Sequence, residues 1–235
     1  MSKKIFCIAF ILTALQWPAM VCSKEKISPV VDTMQVKQVL QSISQKILTL
    51  TNYEFKDRAN GQIYKSLQDI PVGTSVKLAS DFNEWEYQNS LVCFGMNRVG
   101  TLFKTDDIQH YSTRKINFLA DNISFFSQQQ QVGIKTPYPL YFSMKELWYC
   151  GLAANVVDLY AQTKDERLKP FIEKFKNHIF NVQARWTDKS LIRIDNGRKV
   201  VQSDDAYMAV IFLVRMRKLT NEQRYLDEAV NQICS

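Results

Sequence analysis

Glycine, proline and histidine are scarce in this chain of 235 residues. Seven glycines and six prolines are few for the many tight turns of an all-β protein, and this scarcity favours helices. The two histidines, His110 and His178, fall in predicted outer helices without a partner at metal-ligand spacing, and we expect both at the surface. Phosphate-binding glycine loops, Ser-His-Asp patterns and zinc motifs are also absent from the sequence. We therefore expect no metal site.

Long runs of basic residues are absent too, although the formal net charge is +7. A modest positive charge suits either a polyanionic ligand or a merely solvated surface, and without a basic run we expect no nucleic-acid partner. Cys93, Cys150 and Cys234 have no paired spacing. The first two lie on apolar helix faces, which predicts buried free thiols.

Residues 1–23 have the pattern of a secretory signal peptide. Two lysines precede the apolar run Ile5–Leu15, and small residues around Cys22 precede a charged segment. We expect residues 24–235 to form the domain, in a secreted or periplasmic protein. Lipid attachment at Cys22 is the less favoured alternative, because the residues before it are poorly matched to a lipoprotein signal. No other segment is apolar enough to span a membrane.

A repeat organises the rest of the chain. Thr105, Thr163 and Thr220 each follow an apolar helix that contains glycine or alanine, and they stand 58 and 57 residues apart. Each unit consists of an apolar inner helix and an amphipathic outer helix. The predicted fold is all-α, with helical hairpins of the (α/α)6-barrel type; a straight solenoid is the main alternative.

The repeat predicts an incomplete ring. Closing six such hairpins needs roughly 340 residues at this period, and the chain supplies about three and a half hairpins. Predicted helices begin near residues 32, 84, 106, 146, 165, 205 and 221. The segment 52–83 is predicted to be a long functional loop. Uncovered apolar sides of the last hairpin predict self-association.

Equivalent positions of the repeat indicate where a site could lie. Ser90, Trp148 and Asp205 each stand 15 residues before a repeat threonine, so we expect them at one mouth of the cavity. Asp205 is the member with acid–base capacity. An aspartate at a helix start is more often an N-cap, and the neighbouring Asp204 allows both roles, with Asp204 as the cap and Asp205 facing inward.

Trp85, Tyr87 and Asn89 open the first inner helix. Aromatic faces beside an amide are typical of sugar sites, where they stack on the ring and bond to its hydroxyls. Aromatic residues at helix starts are also common in protein cores, and both interpretations remain open.

Several segments in order resemble the unsaturated glycuronyl and rhamnogalacturonyl hydrolases of glycoside hydrolase families 88 and 105. They are Trp85–Asn89 with Gly95–Met96, Gln183–Arg193, and Asp204–Met208. The last is similar to the Asp-Asp-x-Tyr-Met signature of these families. The likeness extends over about residues 53–233.

The resemblance implies an (α/α)6 barrel that acts on an unsaturated acidic oligosaccharide. An aspartate, matched here by Asp205, would protonate the double bond of a 4,5-unsaturated uronic acid and activate water for addition. This differs from ordinary two-carboxylate glycoside hydrolysis. No metal or organic cofactor is implied. The candidate substrate-binding residues are Trp85, Tyr87, Asn89, Trp148 and Asp204.

The chain departs from the family pattern at Trp148, which stands where an aspartate is usual, while Glu146 is nearby but out of register. Later substrate-binding residues of the family would fall beyond Ser235. We therefore expect this chain to be the N-terminal part of a glycoside hydrolase, and whether that part is active by itself is left open. A non-catalytic carbohydrate-binding or structural protein is the alternative. A sugar epimerase on the same barrel is disfavoured, because no histidine lies in an inner helix.

Overall fold

The computed structural model describes residues 32–234. The predicted signal peptide 1–23 and the alternative lipid site at Cys22 lie outside the described residues. A unit boundary falls between Lys37 and Gln38. The packing described below belongs to the unit that begins at Gln38.

Residues 32–234 form nine α-helices and five short strands. The helices are α1 Thr33–Leu50, α2 Tyr87–Phe103, α3 Asp106–Gln109, α4 Tyr111–Gln131, α5 Pro139–Ser143, α6 Ala153–Thr163, α7 Lys169–Asn177, α8 Ser203–Thr220 and α9 Gln223–Cys234. The strands are β1 Phe55–Asp57, β2 Ile63–Tyr64, β3 Val76–Leu78, β4 Arg193–Asp195 and β5 Arg198–Val200. None of the helices in the described part is long and apolar enough to cross a membrane.

Helix α1 was predicted from an apolar stripe, but most of that stripe is exposed. The side chains of Val39 and Ile43 are about half exposed, at 51% and 52%. Packing is confined to the C-terminal half of the helix, where Ser44 is buried and Ile47 and Leu48 contact the core. There the Thr51 hydroxyl lies 3.2 Å from the Tyr111 hydroxyl. Tertiary packing therefore anchors only the C-terminal end of this helix.

The segment 52–83 contains strands, so its prediction as a long loop is wrong, and a functional role for it stays a prediction. Strands β1, β2 and β3 form an antiparallel sheet in the order β2-β1-β3. The alternation of this sheet buries Phe55, Val76 and Leu78. The Phe55 ring stacks on Phe118 of α4, with centroids 5.3 Å apart. The sheet thus covers α4 with one apolar face.

Inner and outer helices alternate as predicted. Inner helix α6 packs between α2 and α8, while outer helices α4, α7 and α9 pack on α2, α6 and α8 respectively. Successive hairpins therefore lie side by side as part of a ring. The predicted fold class, helical hairpins of the (α/α)-barrel type in an incomplete ring, is confirmed.

The physical basis of the repeat is the end of each inner helix. Lys104, Lys164 and Asn221 all adopt the left-handed conformation, with φ of 53°, 55° and 60°. Each donates its N–H to a carbonyl in the last turn of its helix. Thr163 and Thr220 precede this residue, whereas Thr105 follows it. The first repeat is therefore two residues out of the register that the threonines indicated.

The predicted helix that begins near residue 146 is interrupted. A 3₁₀ turn covers Leu147–Cys150, and α6 starts only at Ala153. The break lies at Gly151, which has φ of 42°. A Cβ there would stand 2.7 Å from Nε1 of Trp85. Glycine thus allows both the unusual backbone angle and the close approach of the indole.

The predicted outer helix near residues 165–186 is also shorter than expected. Helix α7 ends at Asn177 in a π-helical turn, His178–Val182. The polar link that follows is a β-hairpin, β4–β5, whose turn residues Asn196 and Gly197 have φ of 48° and 80°. Positive φ at both positions is what a tight type I′ hairpin turn requires.

An aromatic cluster forms the centre of the core. Trp85 stacks on Phe175 with centroids 5.2 Å apart and an interplanar angle of 2°, and it meets the Tyr141 ring edge at 5.3 Å. Cys93 and Cys150 are buried and free, which confirms the prediction of buried thiols.

Candidate functional site

The candidate site forms where three segments meet: the start of α8, strand β4 and the 3₁₀ turn Leu147–Cys150. Helix α8 begins after the extended residue Gln202, so Asp205 lies in its first turn. Free N–H groups there favour a carboxylate. The start of α8 packs against the 3₁₀ turn, which brings Trp148 and Asp205 together as the sequence predicted.

Asp205 and Arg193 form a two-pronged ion pair. Nε of Arg193 donates to Oδ2 of Asp205 at 2.9 Å, and Nη2 donates to Oδ1 at 2.7 Å. The Asp205 side chain is only 4% exposed, whereas that of Arg193 is 23% exposed. The arginine side chain is therefore the more accessible member of the pair. Such parallel bonds are stronger and more directional than a single contact.

Burial and charge act on Asp205 in opposite directions. Burial raises the pKa of the Asp205 carboxyl above its ordinary value, and the hydrogen bond and charge of Arg193 oppose that rise. Asp204 raises the pKa further by its like charge, and the backbone N–H of Trp148 lowers it by hydrogen bonding. Since the net direction is upward, the carboxyl can hold a proton at a higher pH than an exposed aspartate can.

Trp148 adds an aromatic surface beside the ion pair. Its ring is half-buried, meets the Tyr149 ring edge-on at 4.2 Å, and lies 5.9 Å from the centre of the Arg193 guanidinium. An arginine at this distance from an indole is attracted by the negative face of the ring. Trp148, which stands where the family resemblance implies an acid, therefore lies beside the arginine that pairs with Asp205.

Asp204 does not cap α8 as predicted. Gln202 occupies the cap position and makes no capping bond with its side chain. Asp204 instead accepts the backbone N–H of Asp205 at 3.0 Å from within the first turn. Its side chain is 42% exposed and stands 3.8 Å from Nη2 of Arg193. Asp204 is thus the solvent-facing acid of the pair.

A buried hydrogen-bond network behind Arg193 was missed at the sequence level. The side-chain amide of Gln183 donates to the carbonyl of Ile192 at 2.5 Å and reaches Glu146 at 3.5 Å. Its oxygen lies 2.8 Å from Nε2 of His178. This network fixes the backbone next to Arg193. Gln183 opens a segment that resembles the family, and that was its only signal in the sequence.

The prediction that His178 is a surface residue is wrong. The side chain is 3% exposed, and burial lowers the pKa of its imidazole. His178 lies three residues after Phe175 and seven after Phe171, both of which are buried, so the helical period itself places it on the inward face. His110 is exposed, as predicted.

Trp85 and Asn89 make contacts that stabilise the fold, which favours the core interpretation that the sequence left open, and their role in sugar binding stays a prediction. Trp85 is 1% exposed, and Nε1 donates to the carbonyl of Tyr149 at 2.7 Å. The amide of Asn89 donates to the carbonyls of Asp81 and Glu84, at 2.9 and 3.1 Å. Both residues stabilise the chain where it enters α2.

Tyr87 is half-buried at the first position of α2. No contact in the described part of the chain links it to the pair of Asp205 and Arg193. Its role in substrate binding stays a prediction.

Ser90 does not join Trp148 and Asp205. It is completely buried, and its hydroxyl donates to Oδ1 of Asn155 on α6 at 2.5 Å. The two-residue slip of the first repeat explains this, because the position that matches Asp205 by its distance from the helix end is the exposed residue Gln88.

The site contains one buried acid, one exposed acid, one arginine and one aromatic ring. Such a set can transfer a proton at Asp205 and attract an anion at Arg193. No group of three histidine, cysteine or acidic side chains that could hold a metal ion occurs within residues 32–234.

Comparisons with known proteins agree with this fold. A possible member of family GH105 from Salmonella enterica subsp. enterica serovar Paratyphi A is similar in structure, with a TM-score of 0.52 and 17% identity; the match covers 84% of this chain and 47% of that one. A possible GH105 member from Klebsiella pneumoniae subsp. pneumoniae has a TM-score of 0.54 and 14% identity, with 92% and 51% covered. The chain therefore spans about half the length of the solved structures it matches.

No curated protein matches the sequence. The sequence model of Glycosyl Hydrolase Family 88, in contrast, matches residues 55–235. This stretch includes the sheet, the helical hairpins and the paired Asp205 and Arg193. The chain belongs to glycoside hydrolase family 88.

Proposed function

We propose that this protein is a glycoside hydrolase that releases 4,5-unsaturated uronic acid from the products of polysaccharide lyases. Asp205 is the acid. It protonates the double bond of the unsaturated sugar and activates a water molecule that adds to the neighbouring carbon. The hemiketal formed in this way opens and releases the rest of the oligosaccharide.

The observation that carries this proposal is the environment of Asp205. It is a nearly buried carboxyl at the start of an inner helix, and burial raises its pKa. A general acid works best when its pKa lies near the working pH, and burial is the usual means of raising that of a carboxyl. The Asp204 side chain, in contrast, is 42% exposed.

A turnover assay with paired variants tests the proposal. An unsaturated uronyl disaccharide is incubated with the protein, and the loss of absorbance of the conjugated double bond is followed. Asp205→Asn keeps the size of the side chain and removes the acidic proton, so turnover should fall by about 10² to 10⁴. Asp204→Asn is the matched control and should retain activity within a few-fold.

The assay also has outcomes that contradict the proposal. Loss of activity in Asp204→Asn with normal turnover by Asp205→Asn would reverse the roles of the pair. Near-normal turnover by both variants would exclude the mechanism. Circular dichroism of each variant establishes that a loss of activity is not a loss of fold.

One observation favours a second candidate, a non-catalytic carbohydrate-binding protein. Both carboxylate oxygens of Asp205 are occupied by Arg193, and the side chain is 4% exposed. If the protein binds uronates but never turns over the unsaturated disaccharide, this second function is the correct one.

We also propose that the protein is secreted or periplasmic. The lysines and the apolar run within residues 1–23 support export. Mass spectrometry of the exported protein would identify the new N-terminus, and a mass increase by a lipid at Cys22 would point to anchoring instead.

A further inference from the structure

Arg193 has two properties that suit a ligand-binding residue. Its side chain is 23% exposed, whereas that of Asp205 is 4% exposed, so a molecule arriving from solvent reaches the arginine more easily than the carboxylate. It also stands beside the half-buried ring of Trp148. A uronic acid carries a carboxylate of its own, which has the same geometry as the Asp205 side chain and can form the same two parallel bonds with an arginine.

We propose that Arg193 receives the carboxylate of a uronic acid and releases Asp205 when it does so. This inference rests on the proposed function for the identity of the ligand. While Arg193 is paired with Asp205, its hydrogen bonds and its charge oppose protonation of the carboxylate. Exchange of one carboxylate for the other leaves Asp205 buried without its positive partner.

The exchange has a consequence for protons that can be written as a balance. Asp205 without Arg193 is a buried carboxylate, and such a group lowers its free energy by taking up a proton. One proton therefore passes from the solvent to an Asp205 oxygen for each uronate that binds. No bond in the ligand is formed or broken in this step. Binding of the substrate would thus load the acid that the reaction needs.

The other charged groups near Asp205 agree with this direction. Asp204 raises the pKa of Asp205 by its like charge. Burial raises the pKa of the Cys150 thiol, which therefore stays neutral and adds no charge beside Asp205. The charge of Glu146 raises the pKa of Arg193 and so helps to keep it charged. Within the described residues, Arg193 is the cation that opposes protonation of Asp205, and its departure favours proton uptake.

Gln183 holds the backbone in place during the exchange. Its bond to the carbonyl of Ile192 fixes the backbone beside Arg193. The long side chain can then turn from Asp205 toward solvent while its base stays in place. The indole of Trp148 lies beside the guanidinium and would report the movement by a change in fluorescence.

Calorimetry with a saturated uronate tests the proposal without relying on turnover. Galacturonate lacks the double bond, so it binds without reacting. Its binding is measured in buffers of different ionisation enthalpy, from about pH 4 to about pH 7, the range in which a carboxyl of raised pKa titrates. We expect an uptake that approaches one proton per bound galacturonate within this range. Galactose, which is neutral, should bind without uptake.

Variants separate the exchange from a structural role. Arg193→Gln should weaken galacturonate binding by about 10- to 100-fold, the loss expected for hydrogen bonds to a charged group, and should abolish proton uptake. Asp205→Asn should keep binding and lose the uptake. Arg215→Gln is the matched control. Arg215 lies away from this site and pairs with Asp158, with Nε 2.7 Å from Oδ2, so this variant should bind galacturonate like the parent.

Three results would overturn the inference: no binding of galacturonate by the parent, near-normal binding by Arg193→Gln, or proton uptake that persists in Asp205→Asn. The trial is independent of the turnover assay. Uronate binding with proton uptake but no turnover contradicts only the proposed reaction, and turnover without uptake contradicts only the exchange.

Discussion

Replacement of Trp85 by alanine should destabilise the protein strongly. The indole is 1% exposed, stacks on Phe175 and donates to the carbonyl of Tyr149. Truncating a buried tryptophan costs about 3–5 kcal/mol, because apolar contacts are lost and a cavity remains. In a chain of this size each kcal/mol lowers the melting temperature by roughly 2–4 °C, so we expect a decrease of about 6–20 °C.

The measurement is urea unfolding followed by far-ultraviolet circular dichroism, which does not depend on tryptophan fluorescence. Trp186→Ala is the matched control, since the Trp186 side chain is 43% exposed and its truncation should cost no more than about 1 kcal/mol. Trp85→Phe should be intermediate, because it retains a ring but leaves the Tyr149 carbonyl without its donor, at about 1–3 kcal/mol. If Trp85→Ala is as stable as Trp186→Ala, Trp85 is not a core residue, and its interpretation as a sugar-binding residue is favoured instead.

Two further predictions concern pH and association. Lys115 is 1% exposed, and burial lowers its pKa to about 8. Between pH 8 and about pH 10 the unfolded chain binds more protons at this lysine than the folded one, so Lys115 makes the free energy of unfolding rise with pH. In urea titrations at the two pH values, the free energy of unfolding of Lys115→Met should lack this rise when compared with that of the parent. The same change with pH in both proteins would contradict the prediction. Leu226, Val230 and Ile233 form an exposed apolar stripe on α9, with 39%, 48% and 69% exposure, so the protein should self-associate. In sedimentation velocity the Val230→Lys variant should contain more monomer than the parent at the same concentration. A parent that is monomeric at all concentrations would refute this.

The class of fold and the candidate acid could be read from the sequence alone. Alternation of apolar and amphipathic helices is a local property that survives in any packing, because each helix must bury its own apolar face. Asp205 was found for a similar reason, since its distance from the end of its helix is set by chain positions alone. Trp148 was predicted beside it on the same ground and lies there.

The tertiary structure decided what each side chain contacts. A sequence periodicity cannot show that Gly151 brings the backbone against Trp85, or that the first repeat is two residues out of register and sends Ser90 into the core. It cannot show the pairing of Arg193 with Asp205 either, because β4 is brought to the start of α8 by a hairpin turn rather than by a helical repeat. The reason is physical: burial and pKa depend on groups that are distant in the chain, and only the folded arrangement brings those groups together.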